Sequence, residues 1–241
     1  MAKRGGTVHM KRLAAPKAIP LSDKKESKWL ARPSPGPHPK NRCIPLAILL
    51  RDILHVTTNM REVKKVLANR LVLVDGVART DEKFPVGLMD TISLVPDNKH
   101  YRIIVDWKGR LQPAEIKSEE VHRKIVKVIN KHTTDGGKLV LTFHDGKNLF
   151  ADNHIAVGDS VVLQLPKSKK EKAKLLSHIK LAAGAKCFIS DGKHAGKVVS
   201  LKEIVKRVRR KSEAVVSDGS AEFITVSEYL IAVDKDFEVK A

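Results

Sequence analysis

Five Asp-Gly dipeptides, at 75–76, 135–136, 145–146, 191–192 and 218–219, divide most of this 241-residue chain into short apolar runs. Asp-Gly supplies the positive φ that a two-residue hairpin turn requires. So many of these turns predict short antiparallel strands rather than a βαβ sheet. The length allows one large domain or two to three small ones, and a hydrophobic content of 42% is enough for a folded core.

Charge constrains the partner. The net charge is +19, and it is concentrated in two segments. Residues 1–42 carry 11 Lys/Arg against 2 Asp/Glu, and residues 162–214 carry 15 against 4. The stretch between them, with 18 against 15, is nearly balanced, and residues 215–241 are acidic, with 2 against 6. A dense polyanion rewards this pattern, because each phosphate neutralised releases condensed counterions. Aromatic residues are only 4%, too few for a protein whose main grip is base stacking, so backbone and shape of folded RNA or duplex fit better. A membrane surface would call for an amphipathic helix, and Pro16, Pro20, Pro33, Pro35, Pro37 and Pro39 forbid one in the basic N-terminal arm. The basic start has no following apolar stretch of a signal peptide, and no 18-residue apolar run occurs, so a cytoplasmic protein without a membrane partner is expected. Cys43 and Cys187 lack metal-ligand spacing and read as small buried hydrophobes.

Four segments follow. Residues 1–42 read as an extended basic arm, with few apolar residues apart from Trp29 and Leu30, too few to fold alone. In residues 43–97, Leu46, Leu49, Leu50, Ile53 and Leu54 have helical spacing behind Pro45. A second helix starts after Asn59, with Glu62 completing a capping pair. Its apolar stripe is Met60, Val63, Val66 and Leu67, and Arg61, Lys64 and Lys65 lie opposite. A hairpin through Asp75-Gly76, a loop at Phe84–Gly87 and a strand at Thr91–Val95 complete the unit. Residues 98–166 read as a mixed α+β unit: a hairpin around Trp107–Arg110, a helix from Ser118 with Val121, Ile125, Val128 and Ile129 on its apolar face, a hairpin through Asp145-Gly146, and a strand at Val161–Leu165. Residues 167–241 read as a lysine-rich linker and a β-rich unit with turns at Asp191-Gly192 and Asp218-Gly219.

Enzyme motifs fail on detail. Gly192-Lys193-His194-Ala195-Gly196-Lys197-Val198 has one residue too few between its glycines for a phosphate loop, and Val198 stands where Ser or Thr would hold magnesium. Its glycines are expected to serve turn geometry and close approach to a phosphate. The histidines show no helical metal-ligand spacing, and the aspartates beside Gly or Asn suit turn chemistry. No catalytic, metal or cofactor residues emerge. Arg207, Arg209, Arg210 and Lys211, with Lys202 and Lys206 upstream, read as phosphate contacts, although the same run also fits a nuclear import signal.

Several ordered blocks carry a family resemblance: Leu13–Lys17, Arg32–His38, Pro45-Leu46 with Leu50-Arg51, Glu62–Lys65, Asp75–Asp81 and Gly87–Asp90. Over nearly its whole length the chain resembles the archaeal and eukaryotic e-type fourth protein of the small ribosomal subunit. The resemblance implies an α+β, multi-domain fold, with residues 43–97 as an RNA-binding S-four domain. It also implies an SH3-like KOW barrel in 167–241, whose signature spans Gly192–Val198, with Val199 where a glycine is usual. It implies 16S-type ribosomal RNA and neighbouring small-subunit proteins as partners, and no enzyme activity, small-molecule substrate, metal or cofactor. The expected RNA contacts are Lys3, Arg4, Lys11, Arg12, Lys17, Arg32, His38 and Arg42 in the arm and Arg51, Arg61, Lys64, Lys65 and Arg70 on the helical unit. Lys193, His194, Lys197, Arg207, Arg209 and Arg210 are expected at the C-terminal end. The rival readings are an RNA-modifying enzyme that uses the S-four domain for targeting and a KOW-type transcription factor.

Overall fold

The computed structural model describes residues 9–134, 136–151, 153–166, 173–207, 210–219, 221–234 and 237. The chain is mostly β, and every strand pairing among these residues is antiparallel. The two longest helical stretches fall where the periodicity puts them. Leu46–Ile48 is α-helical and continues as a π-helical turn, Leu49–Ile53, with Leu46 to Leu50 fully buried. Met60–Ala68 begins at Asn59, whose side chain accepts from the Arg61 and Glu62 N–H groups. The Glu62 carboxylate accepts in return from the Thr58 N–H and hydroxyl, which lowers its pKa.

Three five-stranded sheets form the framework. In the first, Val77–Ala78, Val72–Val74, Thr91–Leu94, Lys99–Val105 and Leu111–Glu115 are neighbours in that order. This sheet runs straight through the 97/98 junction between the second and third segments, because Thr91 pairs with Arg102 and Leu94 with Lys99. The expected loop at Phe84–Gly87 is instead extended, with Pro85–Gly87 pairing with Cys43–Pro45.

The second sheet has the order Asn148–Phe150, Leu139–Phe143, Arg123–Thr133, Ser160–Gln164, Lys174–Ile179. Its middle strand, Arg123–Thr133, replaces the helix expected from Ser118. Only Ser118–Glu120 makes a single 3-10 turn. The run Ile125-Val126 and Val128-Ile129 is β-branched, and Lys124 to Val128 are all buried because the strand is covered on both faces. Two-sided burial erases the period of two and leaves an apolar spacing that imitates a helix. The end of the lysine-rich linker is likewise a strand, Lys174–Ile179, paired with Ser160–Gln164. The third sheet has the order Glu222–Val226, Glu213–Ser217, Val198–Val205, Lys186–Ile189, Leu230–Ala232.

The described part of the arm departs from a segment without a core. Met10, Ala15, Ala18, Ile19, Leu21 and Leu30 are buried in the same apolar cluster as Ile44, Leu67 and Ile92. Met10–Lys11 pairs with Trp29–Leu30, and Arg12 closes the loop between them. Small apolar residues dispersed among prolines form no periodic stripe, yet each finds a place on a core already built by others.

Cys43 and Cys187 are free and fully buried, and burial pushes their thiols up to about 12 and about 11. The thiolate, the reactive form, is thereby suppressed.

Candidate nucleic-acid interface

The expected basic residues separate into three groups. The first lies on the helix Met60–Ala68. Val63 and Leu67 fix its inner face, and Arg61, Lys64 and Lys65, spaced at three and four residues, are exposed on the outer one. Arg70 follows at φ 57, a left-handed residue that turns the chain out of the helix and leaves its side chain exposed. Lys64 lies 3.7 Å from Glu82, whereas Arg61, Lys65 and Arg70 have no carboxylate partner among the described residues. Arg51 is held by Asp52 at 2.6 and 2.9 Å, a bond that raises its pKa and neutralises its charge locally.

The second group surrounds a seam between the arm, the turn 106–110 and the turn 191–197. Arg42 reaches Asp191 at 2.8 Å. Gly192 and Gly196 do adopt positive φ, but the close approach at Gly196 is to protein. A β-carbon added there would lie 2.7 Å from the Val105 carbonyl oxygen and 3.1 Å from the Trp107 nitrogen. The second glycine therefore seats the C-terminal sheet on the first sheet and is not open to a phosphate. Lys193 and Lys197 are exposed, with Lys197 paired to Asp218 at 2.7 Å, while His194 stacks on Phe223 at 4.0 Å. Lys17 extends over Gly109 from the arm, and Arg32 is half-buried. Lys11, one strand pairing away, is exposed. The third group is Arg207, bonded to Glu213 at 2.9 Å, and exposed Arg210. Lys3, Arg4 and Arg209 lie outside the described residues.

Two of the expected RNA contacts have internal roles instead. Arg12 is buried, and its guanidinium donates to the Asp23 carbonyl oxygen and to the Glu26 carboxylate, closing the loop of the arm. His38 is buried with Nε2 2.9 Å from Asp90, and its ring is packed on Gly87. Both residues sit in basic-looking sequence, and nothing local distinguishes them from exposed neighbours.

A charged cluster beside His38 escapes sequence reading altogether. Lys124 Nζ, fully buried, lies 2.7 Å from Asp75, 2.6 Å from Asp90 and 2.9 Å from Asp145. Lys147 also reaches Asp75 at 2.7 Å. Burial works against the Lys124 charge, but the three carboxylates raise its pKa well above the usual value. Burial likewise works to raise Asp90 and Asp145, and Lys124 overcomes it, with both held well below the usual carboxylate range. Three residues along the strand, Lys127 points to the other side. Its ammonium donates to the carbonyls of Ser227, Glu228 and Leu230 at 3.0, 2.8 and 2.7 Å, and burial lowers its pKa to about 8. The middle strand thus fastens the first sheet through one lysine and the third through another. These groups hold the parts of the protein to one another, and the exposed cations lie outside them.

Residues 97–170 match the family described as Ribosomal family S4e, and residues 4–41 match the RS4NT (NUC023) domain. The small ribosomal subunit protein eS4 of Methanosphaera stadtmanae is 39% identical over 98% of this chain and 96% of its own. That of Methanocella arvoryzae is 37% identical over 95% and 94%. The chain belongs to the eS4 family of small ribosomal subunit proteins. The crystal structure of the 30S ribosomal protein S4e from Thermoplasma acidophilum aligns with this eS4 chain at a TM-score of 0.68 and 28% identity, covering 80% of the chain and 96% of that structure. The Methanosphaera and Methanocella relatives both come from archaea.

Proposed function

We propose that this eS4 protein is a non-enzymatic, cytoplasmic constituent of the small ribosomal subunit that binds 16S-type ribosomal RNA and neighbouring subunit proteins. The observation that carries the RNA assignment is the helix face of Arg61, Lys65 and Arg70, exposed and without carboxylate partners among the described residues. Cations already neutralised by the protein release fewer counterions from RNA, so these three matter more than Arg51 or Lys197. The seam cations Lys17 and Lys193, without carboxylate partners among the described residues, form a second contact surface with Arg42, which shares its charge with Asp191. Arg210 forms a third with Arg207, which shares its charge with Glu213.

Residues 43–97 act as an S-four-type RNA-binding unit. The two successive helical stretches and the small sheet behind them support this reading. The C-terminal unit is an SH3-like KOW module, supported by five short antiparallel strands with a 3-10 turn, Ser227–Tyr229, before the last.

Filter binding to transcribed small-subunit ribosomal RNA across a salt series tests the assignment. With about eight phosphates engaged, affinity falls by roughly 10³–10⁵ between low and physiological salt. The triple variant R61A/K65A/R70A lowers the slope of log K against log salt by about 2 to 3. A flat slope for the parent protein would overturn the RNA assignment.

A further inference from the structure

Trp107 is 69% exposed, the most exposed large hydrophobic side chain among the described residues. It sits at the tip of the hairpin between Lys99–Val105 and Leu111–Glu115, a turn held from several directions. The Trp107 N–H donates to the Asp106 carboxylate at 2.7 Å, the Gly109 N–H to the Asp106 carbonyl at 2.7 Å, and the Asp106 N–H to the Arg110 carbonyl at 2.8 Å. The arm braces the hairpin through the Leu111 N–H on the Ala18 carbonyl at 2.8 Å, and Gly196 abuts the Trp107 backbone from the C-terminal sheet. The backbone is therefore fixed while the indole is left in solvent.

The charge around it is positive. Lys108 Nζ lies 4.6 Å from the indole centroid, and Lys17 Nζ lies over Gly109. The one carboxylate of the turn, Asp106, accepts the Trp107 backbone N–H, so two ammonium groups stand against a single carboxylate. Trp29 is also exposed, but its ring has His9 at 5.7 Å and it lies on a two-residue strand in the arm. A rigidly mounted indole with ammonium groups beside it has the complement of a nucleotide, with a flat apolar face for the base and cations for its phosphate.

We propose that Trp107, with Lys108 and Lys17, is a stacking platform for an unpaired nucleobase of the bound ribosomal RNA. The proposal rests on the RNA-binding reading above and adds the class of nucleotide recognised. Bases within an A-form helix are stacked on their neighbours and closed to an indole, so the platform takes a base from a loop, bulge or strand end. It also places one aromatic contact in a protein whose low aromatic content argued against stacking as its general grip.

The chain has two tryptophans, so W29F leaves Trp107 as the sole tryptophan reporter. Titrating full-length W29F with transcribed small-subunit ribosomal RNA is expected to quench its emission in step with filter binding, and a fully paired RNA duplex is expected not to. W107A weakens binding to the ribosomal RNA by about 10- to 100-fold, and W107F retains most of the affinity. The melting temperature of W107A stays at the parent value, because the ring is in solvent. If W107A binds ribosomal RNA as tightly as the parent and emission is unmoved, the platform is wrong while the RNA-binding reading stands. Equal quenching by the duplex, or a change that appears only when other subunit proteins are added, also overturns it. Failure of the parent protein to bind ribosomal RNA at all would instead refute the reading on which the platform rests.

Discussion

Lys124 Nζ lies 2.6 Å from Asp90 Oδ1 in a site where neither side chain meets solvent, although the residues are 34 positions apart. Asp90 belongs to the turn before Thr91–Leu94, and it also accepts the Gly87 N–H and contacts His38 of the arm. One carboxylate therefore joins the arm, the first sheet and the middle strand of the second.

Removing the shared cation leaves buried carboxylates facing one another. K124M is expected to cost about 3–5 kcal/mol, the usual penalty for breaking a buried ion pair from one side. Urea unfolding monitored by circular dichroism measures it. A loss below about 1 kcal/mol would mean that Lys147 alone neutralises the cluster.

Acid should unfold the protein in two stages. His144 Nδ1 accepts the Lys127 N–H at 3.1 Å and Nε2 faces the Leu88 carbonyl at 3.2 Å, so the neutral ring is the form that fits. Burial, then Lys124, lowers its pKa to about 4 from 6.5. Between those values the unfolded chain binds the extra proton, so stability falls as pH drops through the window, by at most about 1.4 kcal/mol per pH unit. Asp90 and Asp145 have depressed pKa values, so their contribution is intact above 3.8 and is lost as pH falls below it. Denaturation midpoints across this range should show both stages. H144N should flatten the upper stage and leave the lower.

Arg12 and Lys11 are neighbours with opposite fates. R12A, which breaks the loop closure at Asp23 and Glu26, should lower the melting temperature and leave the salt slope of RNA binding unchanged. K11A/K17A should reduce the slope by about 1 to 2 and leave melting unchanged. The reverse result would reassign both groups.

His38 secures the arm. H38A removes its contact with Asp90, which keeps Lys124, so the globular part should stay folded while the arm loosens. Limited trypsin digestion should then cleave within residues 9–42 faster than in the parent at equal concentration. Unchanged cleavage would show that Met10, Ile19 and Leu30 hold the arm without it.

The helix Met60–Ala68 was legible because its determinants are local: the Asn59 cap, Glu62 three residues on, and an apolar stripe at helical spacing. So were four of the Asp-Gly turns, whose Gly76, Gly146, Gly192 and Gly219 take positive φ, a conformation glycine adopts freely; Asp135 of the fifth lies outside the described residues. The basic helix face follows from the same spacing. Strand Arg123–Thr133 was not legible, because its partners on both sides are distant segments and their cover makes Lys124 and Lys127 interior residues. Asp75 and Asp145 read as turn residues, and they are; that their carboxylates also converge on one ammonium depends on how two hairpins pack.

The sequence by itself determined the abundance of short antiparallel strands, the capped helix with its cationic face and the polyanion-seeking charge, since turn chemistry, capping and net charge act over a few residues or need no fold at all. Tertiary structure alone decided which cations are enclosed inside the protein and which stay exposed. Arg12, Lys124 and Lys127 are enclosed with counter-charges or carbonyls brought from elsewhere in the chain, whereas Arg61, Lys65 and Arg70 face water. The physical reason is desolvation: a buried charge persists only where the fold supplies its partners, and those partners are distant in sequence.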